Sequence, residues 1–116
     1  MARTALTVTD ITKSGVDSAA TLEAANADGE KFYNNGKTFV EVLNANAADC
    51  TLTFQTPRTV DGLAVAEHTV VVEQNERMLI GPLPTATFNQ TSTDAGMVYM
   101  DYSAVTDVTV AAWKLA

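Results

Sequence analysis

The sequence predicts an all-β fold, an antiparallel β-sandwich of about eight strands. Apolar and polar residues alternate with a period close to two through most segments, the mark of half-buried strands. Clusters of Asn, Asp, Gly and Pro separate those segments at short spacing. A parallel α/β sheet would need crossovers of about a dozen residues, and no segment sustains a helical period of that length.

In residues 5–11, Leu6 and Val8 alternate with Thr7 and Thr9. The organisation expected is therefore a strand or arm over 1–12, followed by one sandwich domain over 13–116. Leu6, Val8 and Ile11 are candidate interface residues, because an apolar segment ahead of a polar connection can add a strand to a neighbour's sheet edge. Pairing within its own sheet is the alternative. An arm predicts that deleting residues 1–11 weakens assembly more than folding. Residues 14–29, rich in Ala, Ser, Asp and Asn, read as an irregular connection with at most one helical turn, at Leu22-Glu23-Ala24-Ala25.

Residues 30–33 and 37–43 flank Asn34-Asn35-Gly36, which reads as a hairpin turn. In the second of these strands Thr38, Val40 and Val42 share one face and Phe39, Glu41 and Leu43 the other, so a position inside its sheet is expected. Cys50, Leu52 and Phe54 alternate with Thr51, Thr53 and Gln55, the clearest strand pattern in the chain. Pro57 ends that pairing, and Asp61-Gly62 supplies a turn before residues 63–66. Residues 68–73 and 77–80 read as two strands joined in a hairpin through Gln74-Asn75-Glu76, closed by Gly81-Pro82. Loops surround Thr87-Phe88. Residues 97–102 form a strand with Val98, Met100 and Tyr102 on one face, and residues 105–115 close the chain with Val108, Val110 and Ala112 opposite Trp113.

At 116 residues, 47% of them hydrophobic and 18% charged, the chain has enough apolar content for one core without metals or disulfides. Its apolar runs fall far short of the roughly 20 residues that span a bilayer, and no export signal is expected near the N-terminus. A net charge of -7 disfavours nucleic acid as a partner, since that affinity comes from cations neutralising phosphates.

Reactive groups are sparse. The single histidine, His68, enters a valine-rich strand beside Glu67, and adjacent strand residues point to opposite faces, so the two make no dyad. The single cysteine, Cys50, alternates with Leu52 and Phe54 and reads as a small buried hydrophobe. One Cys and one His cannot build a zinc site. Asp94, Asp101 and Asp107 fall near the C-terminal strands without the spacing of a calcium loop, and the glycines are isolated at turns. No catalytic residue, metal ligand or cofactor site is expected, and the protein reads as a non-enzyme. Tyr99, Tyr102 and Trp113 could form a sugar-binding platform, which keeps a carbohydrate-binding module open as an alternative.

The segments Thr38-Phe39-Val40-Glu41-Val42, Asp61-Gly62-Leu63-Ala64-Val65, Leu79-Ile80-Gly81-Pro82-Leu83 and Val98-Tyr99-Met100-Asp101-Tyr102-Ser103 resemble small jelly-roll head decoration, or cement, proteins of tailed double-stranded DNA bacteriophages. The resemblance implies a jelly-roll sandwich, made in the host cytoplasm, that docks as a homo-oligomer on the outer capsid surface of the virion. There it would clamp subunits of the major capsid protein, often with a terminal arm. The Ala- and Asn-rich connection before Gly29 departs from that group. Another virion part, such as a head-to-tail joining or tail component, remains a further alternative.

Overall fold

The computed structural model describes residues 3–115; Met1, Ala2 and Ala116, at the outer ends of the expected 1–12 and 13–116 segments, lie outside the described residues. The chain runs β1 (Thr4–Ala5), β2 (Val8–Ile11), α1 (Ser18–Thr21), β3 (Glu23–Ala24), β4 (Glu30–Tyr33), β5 (Thr38–Asn44) and β6 (Cys50–Phe54). It continues through β7 (Thr59–Val60), β8 (Leu63–Ala64), β9 (His68–Val72), β10 (Arg77–Ile80), α2 (Thr85–Phe88), β11 (Met97–Tyr102) and β12 (Val108–Leu115).

Pairing follows one rule. β3 pairs with β12, β4 with β11, β5 with β10 and β6 with β9, all antiparallel, as in a long hairpin folded back on itself. The lateral pairings β5 with β12 and β6 with β11 roll that hairpin into two layers. Sheet I has the order β1-β4-β11-β6-β9; sheet II has β10-β5-β12-β2, with β3 also on β12. This is the strand order of a jelly roll, two interlocked Greek keys.

Alternation decides what lies between the sheets. Phe32, Leu52, Phe54, Val98 and Met100 from sheet I meet Val40, Val42, Val108, Val110 and Ala112 from sheet II in one buried cluster. Cys50 is buried there, its Sγ 3.2 Å from the Ala104 carbonyl. The N-terminal segment crosses between the layers. β1 lies parallel to β4 in sheet I, β2 lies parallel to β12 in sheet II, and Leu6 between them enters the core.

Three sequence expectations change. The strands flanking Asn34-Asn35-Gly36 are not a hairpin, because β4 lies in sheet I and β5 in sheet II. Asn34 holds this corner: its Nδ2 donates to the Leu83 carbonyl and to Asn89 Oδ1, both at 2.9 Å, and its Oδ1 accepts from the Gly36 N–H. β9 and β10 likewise sit in different sheets, and Asn44 locks the corner between them. Its side chain donates to Val72 O at 3.0 Å, and its backbone bonds Asn75 and Glu76. Finally, the helical turn in the long connection is at Ser18–Thr21, capped by Asp17 Oδ1 on the Ala19 and Ala20 N–H groups, while Glu23–Ala24 is strand β3.

Candidate functional site

The outward faces of the two sheets differ in chemistry. On sheet I, Arg3 Nη1 lies 2.6 Å from Asp101 Oδ1 and its guanidinium stacks 4.4 Å above the Tyr99 ring. Gln55 Nε2 donates to the other Asp101 oxygen at 2.7 Å. Lys31 Nζ and the Tyr99 hydroxyl both reach Asp94, at 3.1 and 2.5 Å. Thr51, Thr53 and Thr69 continue this layer, with Val71 and Tyr33 exposed at its two sides, so the centre of the face is polar and internally paired while its margins are not. Tyr99 and Lys31 hold the Asp94 carboxyl below the ordinary aspartate range, and its hydrogen bond to Asp94 raises the Tyr99 phenol. Burial works against ionisation of Asp101, but Arg3 and Gln55 outweigh it and lower that group too.

On sheet II the outward residues are mostly apolar, around one carboxylate, Glu41. Register places Phe39 opposite Trp113, Glu41 opposite both Ala111 and Leu79, and Leu115 opposite Ile11. Trp113 points outward yet is only 3% exposed. The connection after β2 comes over it: Val16 and Ser18 line one wall of a cleft of ≈ 260 Å³, with Ile11, Phe39, Glu41, Leu79 and Trp113. Beneath the cleft, Trp113 Nε1 donates to Glu41 Oε1 at 3.1 Å, and Arg77 Nε lies 3.4 Å from Oε2, so both oxygens of a nearly buried carboxylate are engaged.

A second cleft of ≈ 260 Å³ shares Phe39 and Leu79 and runs on past Gly36, Lys37, Gly81, Pro82 and Leu115. Gly81 makes this junction possible. At φ +142 a side chain is strained, and a Cβ there would stand 2.7 Å from Phe39 Cβ and 2.9 Å from its Cα. Leu79 and Leu115, 66% and 64% exposed, stand at the rim. Lys37 stands there as well and makes no ion pair among the described residues.

A separate apolar surface projects from the β6–β9 connection. β7 and β8 pair only with each other, and every residue from 57 to 64 is exposed. Asp61 and Gly62, with φ 52 and 76, form the tight turn whose twist suits a two-residue hairpin. Val60 and Leu63 flank it as a directly paired couple, 52% and 72% exposed. Thr56 Oγ1, donating to Val65 O at 2.6 Å, ties the base of this ribbon.

Of the interface residues expected from sequence, Leu6 is a core residue, while Val8 and Ile11 are half-buried on β2. Ile11 reaches the first cleft. The structure separates the aromatic set: Tyr99 faces outward on sheet I, Tyr102 turns inward, and Trp113 belongs to sheet II, so no common platform forms. His68 stacks on Phe54 at 5.8 Å between ring centroids and meets the edge of Phe88 at 6.2 Å. Among the described residues no three of His, Cys, Asp and Glu gather in a metal-ligating group, and no helix is long and apolar enough to cross a membrane. The sequence placed the Asp61-Gly62 turn but not the ribbon's exposure, and it did not show the cleft, although Phe39 on the second face of β5 was the signal for the latter. The chain matches no family model, no curated protein and no solved structure.

Proposed function

We propose that this protein is a non-enzymatic virion structural protein, a decoration protein that binds the outer capsid surface and stabilises the head. One observation carries the reading: a single rigid sandwich holds both an exposed apolar ribbon and an exposed apolar cleft. Apolar surface gathered in this way marks protein contact sites. An isolated two-stranded ribbon is marginal in water, so residues 57–64 gain order when a partner covers Val60 and Leu63. Contacts repeated over a shell add through multivalency even when each is weak. The resemblance of β5, β10 and β11 to cement proteins supplies the partner, the major capsid protein, and the expectation of several linked copies. The net charge of -7 suits a protein held outside a DNA-filled shell.

Titration of undecorated heads with the purified protein tests this reading. Near-stoichiometric binding, with a rise in the temperature at which the heads rupture, is the expected result. Absence of binding at micromolar concentration would contradict it.

A further inference from the structure

We infer that copies of this chain join head to tail, the β7–β8 ribbon of one copy seated in the sheet II cleft of the next. The inference rests on the reading of the domain as one of several linked copies and names the contact that links them.

Complementarity in shape and charge points to a second copy as the occupant. The ribbon offers two apolar side chains, Val60 and Leu63, on either side of a tight turn carrying Asp61. The cleft offers two adjoining hollows that share Phe39 and Leu79, with the unpaired cation Lys37 at the rim. An apolar tip bearing one carboxylate thus meets an apolar cleft with one unpaired ammonium group at its rim. The ribbon leaves the sandwich from sheet I and the cleft opens on the outside of sheet II, so one copy uses both surfaces at once on different neighbours. Such a heterologous contact propagates, closing into a ring where the rotation allows.

The geometry gives a complementation test on the full-length protein, without heads. Wild-type protein is expected to associate with rising concentration in sedimentation velocity. Leu63→Asp removes the tip and Leu79→Asp fouls the cleft; both side chains are exposed, and thermal melts check that Leu79→Asp, which sets a second carboxylate across from Glu41, stays folded at the temperature of the assay. Each alone should lose self-association by at least about tenfold. Mixed in equal amounts, they should form a one-to-one heterodimer, because the first retains an intact cleft and the second an intact ribbon. Val60→Asp and Leu115→Asp repeat the experiment at independent positions. A wild type that stays monomeric up to millimolar concentration, variants that associate like wild type, or a mixture that stays monomeric would each overturn the inference. Head binding is read separately. Wild-type protein that stays monomeric yet binds heads would sink the ribbon-to-cleft contact and leave the decoration reading standing.

Discussion

The two outer faces of this sandwich each centre on a carboxylate bonded to an aromatic side chain and a cation, but burial gives the two arrangements different work. On sheet I the Asp94–Tyr99–Lys31 and Asp101–Arg3–Gln55 groups lie at the surface, where water screens them. On sheet II the Glu41 carboxylate is sealed under Trp113 and the connection after β2, and its bonds fix the floor of an apolar cleft. A screened network contributes little to stability, whereas a sealed one is costly to break and positions whatever packs above it. The apolar cleft therefore lies over the sealed carboxylate of sheet II, and the polar network lies on sheet I.

The largest expected effect sharpens this contrast at its tightest point. Gly81→Ala places a methyl group against Phe39 at a positive φ, and urea unfolding should show a loss of roughly 2–4 kcal/mol. Next comes Trp113→Phe, which leaves a buried oxygen of Glu41 without its donor; a loss of about 2 kcal/mol is expected from the same measurement. Arg3→Ala, its counterpart on sheet I, should cost less than about 1 kcal/mol, with the difference shrinking further in high salt. Equal losses for Trp113→Phe and Arg3→Ala would break the comparison.

Acidity separates the carboxylates further. Asp94 and Asp101 are held below their ordinary value of 3.8, so the stability they contribute is present above that value and is lost as pH falls through their lower folded values. Glu30 has the opposite sign. Burial lifts its carboxyl above 4.5 despite the Asn26 N–H that bonds it, and the charge of Glu23 adds to the rise. Its Oε2 and the nearby Tyr102 hydroxyl are buried without a hydrogen-bond partner among the described residues, and the same burial raises the Tyr102 phenol. The stability Glu30 allows is full below 4.5 and declines as pH rises through its folded value. Glu30→Gln should therefore stabilise the protein near neutral pH by about 1 kcal/mol, or about 4 °C in thermal melts. Below 4.5 the variant and the wild type should melt together.

What the sequence made legible was local. Alternation located β5, β6, β11 and β12, put Val40, Leu52 and Val110 in the core, and turned Trp113 away from it. Pairing was not legible, because Asn-Asn-Gly and Gln-Asn-Glu describe a turn equally well whether the next strand returns beside the last or crosses to the other sheet. The buried bonds of Asn34 to Leu83 and Asn44 to Val72 decide that, and they join residues far apart in sequence. Leu6 had the same ambiguity: an apolar residue near a terminus reads alike as arm or core until the gap between β4 and β12 is seen. The cleft announced itself only as a strand apolar on both faces. The ribbon looked like an ordinary loop because Val60 and Leu63 carry no sign of their exposure.

Binding of face variants to undecorated heads tests the central claim most directly. Leu79→Asp on sheet II and Lys31→Ala on sheet I are titrated beside wild type, with bound copies counted per head. The account predicts that Leu79→Asp loses most of its binding and Lys31→Ala keeps it. Retention by Leu79→Asp, or loss by Lys31→Ala alone, would contradict it.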